Sequence, residues 1–192
     1  MKESLPIPIL LAVVLLFSAC SSTPDKVKVS TDVVASQKEQ NLTEAQVAFN
    51  FGLAAYQDSD YEDAFSKWLP LAKKGHAEAA FRIADMHDYA QGVQQDYQEA
   101  AKWFLVAAER GHGEAQFRIA GRFDAGTGVT KNISQAYKWY WLCRDNESTS
   151  QRSRYWADLY MRTKFSVGLL SSSQINQIEA EAKQWKPKPA LQ

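Results

Sequence analysis

Three histidines and two cysteines are the side chains of this sequence best suited to ligate a metal or attack a substrate. His76 and His112 stand thirty-six residues apart, each directly after a glycine. A zinc site needs such ligands to converge, with Cys, His or carboxylate partners at ligand spacing. Neither histidine has such a partner, and their recurrence follows a repeat of the chain itself, which keeps them one unit apart. No metal site is expected. His87 lies on an Ala-rich stretch, where a packed or half-exposed ring is expected. The sequence holds no Gly-x-Ser-x-Gly, no His-Glu-x-x-His and no phosphate-binding glycine pattern, and Gly126-Thr-Gly128 reads as a loop. No catalytic residue and no cofactor are therefore expected. Cys143 sits in the run Trp139-Tyr-Trp-Leu-Cys143 and reads as a buried, inert thiol, with pairing between two chains as the alternative.

With no reaction centre to position, the elements themselves become the question. The chain has 192 residues, 45% of them hydrophobic and 23% charged, enough for one ordinary domain with a sizeable core. Its 22 basic and 22 acidic residues balance, so no net field favours nucleic acid as a partner. The distribution is uneven. Thr43 to Ala100 carries ten Asp/Glu against four Lys/Arg, and Ser150 to the end carries seven Lys/Arg against three Asp/Glu. The folded part is expected to have an acidic front and a basic rear.

The stretch Gly75-His-Ala-Glu-Ala-Ala-Phe-Arg-Ile-Ala84 returns as Gly111-His-Gly-Glu-Ala-Gln-Phe-Arg-Ile-Ala120. The thirty-six-residue offset also pairs Gly92-Val93 with Gly128-Val129, Ala100 with Ala136, and Lys102-Trp103 with Lys138-Trp139. A constant offset over a whole unit marks a repeat array. An earlier, shorter copy keeps Tyr61, Ala64, Ala72 and Gly75 in register. Three units follow, about 43–77, 78–113 and 114–149, each read as two helices. The second helix opens on an Asx cap in every copy, at Asp60, Asp96 and Asn132, followed three residues later by Asp63, Glu99 or Gln135. Gly75 and Gly111 end it. Neither helix can bury its apolar stripe alone, so the expected fold is all-α, an α-solenoid of stacked antiparallel helix pairs. Trp68, Trp103, Phe104, Trp139 and Tyr140 on the second helices read as core. Residues 150–186 are expected to cap the stack, first with Trp156, Leu159 and Tyr160 laid over the last repeat, then with a helix behind the box Ser171-Ser-Ser-Gln174. Residues 187–192 should be a frayed basic tail.

Gly92-Val93, Asp96, Ala100, Lys102-Trp103-Phe104, Ala107-Ala108, Gly111 and Ala115 resemble the Sel1-like repeat, a longer-looped relative of the tetratricopeptide repeat. The third copy departs with Asn132 for Asp and Cys143-Arg144 for the Ala-Ala pair, the second has Ala90 for a loop Gly, and the first is closer to a tetratricopeptide unit. In that pattern His87 stands where an aromatic is usual.

Ahead of the repeats, Met1 to Ala19 holds an apolar run from Ile7 to Phe17, too short to span a bilayer comfortably and suited to a cleaved export signal. Leu16-Phe17-Ser18-Ala19-Cys20 resembles a bacterial lipobox, in which the Cys thiol is lipidated and becomes the mature amino terminus. Phe17 departs from the usual Leu, and an ordinary secretory signal with an incidental Cys20 is the alternative. Ser21 and Ser22 are not acidic, which within that resemblance implies an outer-membrane anchor facing the periplasm. Residues 20–42 read as a flexible tether of roughly 25 Å root-mean-square span.

If the first helices line a receptor face, as in the relatives resembled, its outward residues are Gln46, Phe49 and Tyr56, then Glu78, Phe81, Asp85 and Asp88, then Glu114, Phe117 and Asp124. Three Phe would form a row flanked by carboxylates. Either the rings pack between helices, or they line a groove for another envelope protein or peptide segment whose basic groups meet the acidic rim. The expected function is that of a lipid-anchored interaction scaffold or adaptor, a monomer joined to the membrane through Cys20. The alternative is a periplasmic hydrolase acting on cell-wall or antibiotic substrates, an activity associated with some Sel1-like proteins.

Overall fold

A computed structural model of the chain describes residues 43–164 and 168–190. The export signal, Cys20 and the tether lie outside the described residues. Among the described residues the chain forms eight α-helices and no strand: α1 (Glu44–Gln57), α2 (Tyr61–Lys73), α3 (Ala77–Tyr89), α4 (Tyr97–Glu109), α5 (Gly113–Ala125), α6 (Ile133–Asp145), α7 (Gln151–Lys164) and α8 (Ser172–Gln184). Pairs α1–α2, α3–α4 and α5–α6 pack as hairpins, and each second helix packs on the first helix of the next pair. The fold is an all-α solenoid.

Local chemistry sets the boundaries. Oδ1 of Asp60 accepts the N–H of Asp63 at 3.1 Å, Asp96 accepts from Gln98 and Glu99 at 2.8 and 3.0 Å, and Asn132 accepts from Gln135 at 3.0 Å. Glu99, at the spacing from which a side chain can reach back to the cap N–H, turns to Lys102 at 2.5 Å instead. The reciprocal box does form at Ser171 and Gln174. The loop glycines have a packing reason. A side chain on Gly92 would strike the backbone of Tyr61 and Glu62, and one on Gly128 would strike the carbonyl of Tyr97. Each long loop thus closes on the start of the preceding second helix, which locks neighbouring hairpins in register.

The core runs unbroken through the stack. Ala79, Ala80, Ile83, Ala84 and Met86 of α3 and Ala100, Ala101, Phe104, Ala107 and Ala108 of α4 are completely buried. The alanines bring helix axes together, and each large apolar side chain contributes roughly 1.5–3 kcal/mol by its burial. Trp68, Phe104 and Tyr140, thirty-six residues apart, hold the centre of each hairpin, and the Trp68 indole N–H donates to the Phe49 carbonyl at 3.1 Å. Trp139 is buried and Trp103 is partly covered.

At the rear, two expectations change. The buried stripe of α7 is Ser153, Ala157 and Met161, not Trp156 and Leu159, and Trp156 keeps 41% of its surface exposed. The stripe is displaced because α7 is anchored through Ser153 to α5. The tail is not frayed as far as it is described: the Lys188 N–H donates to the Glu109 carbonyl at 2.8 Å and Lys188 Nζ meets the Glu109 carboxylate at 2.7 Å. Trp185 packs edge-on against Trp139, with ring centres 6.2 Å apart, and carries the tail back toward α4.

Candidate functional site

The phenylalanine row exists, and its rings face inward. Phe49, Phe81 and Phe117 each meet the central ring of their own hairpin, Trp68, Phe104 or Tyr140, at 5.7 Å between centres. Phe49 is buried, while Phe81 and Phe117 are half-buried. The next hairpin covers the first two. His76 stacks on Phe49 at 5.1 Å and His112 on Phe81 at 4.4 Å.

Those two histidines are helix caps. Nδ1 of His76 accepts the N–H of Ala79, and Nδ1 of His112 accepts the N–H of Ala115, both at 3.2 Å. An accepting Nδ1 leaves the proton on Nε2 of a neutral ring. Nε2–H of His112 then donates to Glu78 at 2.7 Å. The bond from His112 is the main reason that the Glu78 carboxyl is pulled down to about 2, with the neighbouring Arg82 adding to it. Burial lowers the His76 pKa. The reason for a recurring Gly-His is thus structural: glycine ends one helix, and histidine starts the next and ties it back to the previous repeat.

The carboxylates flanking the row are turned toward the neighbouring repeat. Besides Glu78, Asp85 lies 3.9 Å from Arg118, and Asp88 meets Arg122 at 2.5 Å with both side chains nearly buried. Glu114 accepts the Ser150 N–H at 2.8 Å and the Ser153 hydroxyl at 2.7 Å. Asp124 is buried and pairs with Lys164. Each acid reaches from one first helix to the next, so the ladder runs α3 to α5 to α7, and α7 occupies the place of a fourth first helix. Asp124 and Phe49 therefore do not face solvent, because the following unit sits on them. Burial raises the Asp85 carboxyl pKa against the pull of Arg118. Tyr56 is half-buried and donates to Gln91 at 2.9 Å, and Gln46 is exposed at the start of α1.

Sequence reasoning passed over the cations of this ladder. Arg118 also donates to the Tyr89 hydroxyl at 2.9 Å, and Arg122 lies 5.0 Å over the Phe104 ring. The repeated Phe-Arg-Ile-Ala offered a signal for Arg118, but its counterpart Arg82 pairs within its own helix, with Glu78 at 2.8 Å. Gln116 was also missed: fully buried, it joins the Ala108 carbonyl to Asn146. Cys143 is completely buried, and burial pushes its thiol up to about 12, which suits the inert reading. Among the described residues no cluster of three His, Cys, Asp or Glu could hold a metal, and no helix is long and apolar enough to cross a membrane.

Residues 77–112 and 113–140 match the Sel1 repeat family. Among solved structures, a Sel1 repeat protein from Oxalobacter formigenes is 26% identical, with a TM-score of 0.53 over 59% of this chain and 46% of that one. The protective antigen c5321 of uropathogenic Escherichia coli strains, which displays an SLR fold, is 23% identical, with a TM-score of 0.62 over 83% of this chain and 33% of that one. The chain thus spans less than half the length of either. No curated protein matches it. Hairpins α3–α4 and α5–α6 are therefore similar to consecutive Sel1 repeats, within a longer stack that shares the fold of Sel1-like solenoids.

Proposed function

We propose that this chain is a protein-interaction module, tethered through a lipid on Cys20 to the outer membrane of a Gram-negative cell and facing the periplasm. The observation that carries the interaction reading is the tied row of first helices, α3, α5 and α7, which gives the Sel1-like repeats one preorganised surface with an open groove between α5 and α7. Sel1 repeat proteins usually mediate protein–protein interaction. A surface whose rotamers are already fixed loses little entropy when a partner docks. The lipid reading rests on Ser18-Ala19-Cys20 and the apolar run before it. The hydrolase alternative has no support in the comparisons.

Crosslinking in cells followed by mass spectrometry should return one dominant envelope protein joined to α5 or α7; scattered crosslinks without a recurring partner would sink the interaction reading. Labelled palmitate should enter the chain and be lost in Cys20→Ser, with release from membranes. Unchanged labelling would mean that Cys20 is not the acylated residue.

A further inference from the structure

The groove between α5 and α7 encloses about 520 Å3 and is lined by Glu114, Phe117, Arg118, Ser150, Arg152, Trp156 and Tyr160. Its floor is a chain of rings. Phe117 meets Tyr140 at 5.7 Å, Tyr140 stacks on Tyr160 at 5.3 Å, and Tyr160 lies 6.4 Å from Trp156. Trp156 and Tyr160 keep 41% and 36% of their surface exposed, on a helix whose opposite side is buried through Ser153, Ala157 and Met161. Two large amphipathic rings held open on a rigid helix supply contact area at small entropic cost.

The charge of the groove points one way. Glu114 is its one acid, and both its oxygens are occupied by Ser150 and Ser153. Burial pushes the Glu114 pKa up, but those bonds outweigh it and hold the carboxyl below its ordinary range. It therefore stays ionised, with one acceptor site on each oxygen already taken. Arg118 has its nearest carboxylate, Asp85, at 3.9 Å, and Arg152 is exposed with no ion-pair partner among the described residues. Two guanidinium groups flanking an aromatic floor suit carboxylates, which they bind through paired N–H donors. A basic segment would meet one carboxylate, already holding two donors, against two guanidinium groups.

We propose that the groove receives an extended acidic segment of a partner protein, its carboxylates on Arg118 and Arg152 and one apolar or aromatic side chain on the Trp156–Tyr160 rings. This rests on the interaction reading above and reverses the charge that the acidic sequence of the first helices led one to expect. The acids of those helices hold the repeats together, and the cations are what remains for a ligand.

The test pans phage-displayed random dodecapeptides against the full chain in detergent micelles. Peptides rich in Asp and Glu with one Phe, Trp or Leu should be enriched. Arg152→Glu and Trp156→Ala, both at exposed positions and checked for unchanged circular dichroism, should each weaken a selected peptide about tenfold or more, and Arg152→Lys should retain part of the affinity. Enrichment of basic or neutral peptides, no enrichment at all, or displacement of the acidic peptide by polygalacturonate as effectively as by unlabelled peptide would overturn the assignment. Acidic peptides indifferent to both substitutions would also overturn it, while leaving the interaction function standing. Whether that function falls too is read separately, from the crosslinking in cells.

Discussion

Aligned through Phe49, Phe81 and Phe117, the first helices present one face with two different fates. On α3 it is Ala79, Ile83 and Met86, and on α5 it includes Ala115 and Ile119; all five are completely buried. On α1 the matching residues are Val47, Phe51 and Ala54, which line a shallow apolar depression where Phe51 is 64% exposed. The pattern in the helix is the same, and the difference is the neighbour: α2 covers this face of α3, α4 covers that of α5, and among the described residues nothing covers the same face of α1. In a stack of this kind a side chain's contribution depends on the unit beside it. The ion ladder obeys the same rule. Glu78 ties α3 to the cap of α5, whereas Gln46 stands at the matching place on α1, and among the described residues no carboxylate bonds Nε2 of His76.

The sharpest way to break this comparison is at the buried cross-repeat pair. Asp88→Ala strands the Arg122 charge between α3 and α5 and should cost about 3–5 kcal/mol in urea unfolding; a loss under 1 kcal/mol would show that the ladder does not couple the repeats. Next come the apolar faces. Ile83→Ala should cost about 2–5 kcal/mol, and Phe51→Ala should stay within about 0.5 kcal/mol. Equal losses at both would mean that α1 is covered in solution.

Smaller effects appear on the pH axis. The folded-state pKa of Glu78 lies below its ordinary 4.5, at about 2. Its contribution is therefore complete above pH 4.5 and is lost as pH falls toward 2. Glu78→Gln should flatten that part of the stability curve by on the order of 1 kcal/mol, a figure reduced for the side chain's exposure. A curve as steep as in the unmodified chain would remove the His112–Glu78 bond from the account. The smallest change belongs to the first hairpin. The His76 pKa lies below 6.5 when folded, so its contribution is complete above pH 6.5 and shrinks as pH falls. His76→Asn, which keeps a cap acceptor, should flatten the curve just below pH 6.5 in thermal melts, and a steeper fall there would contradict the cap.

Much of the fold was legible because the repeat carries its own punctuation. Asp60, Asp96 and Asn132 cap helices as Asx spacing predicts, and Gly75 and Gly111 take left-handed φ values of 86° and 84° where the helices stop. The candidate site was less legible, for a reason of geometry. Periodicity says which side chains share a face, but it does not say how closely the next repeat approaches that face. The sequence pattern marked Asp88 and Asp124 as outward, and a neighbouring first helix supplied Arg122 and Lys164 to cover them. Arg152 could not be singled out, since a lone basic residue on a helix shows no sign of being unpaired until its surroundings are known. Trp156 reads from the sequence as laid over the last repeat, because helical spacing alone cannot decide between adjacent stripes of α7.

The bond from Lys188 to Glu109 ties the end of the described chain to the second hairpin, past the whole of the third. Linear arrays ordinarily loosen from either end. Among the described residues the trailing end is latched and the first helix has an uncovered face, so opening should proceed in one direction. Amide hydrogens of α1 should exchange first and those of α6 last, and Lys188→Ala, which removes the ion pair and keeps the backbone bond to Glu109, should let α8 exchange earlier than it does in the unmodified chain.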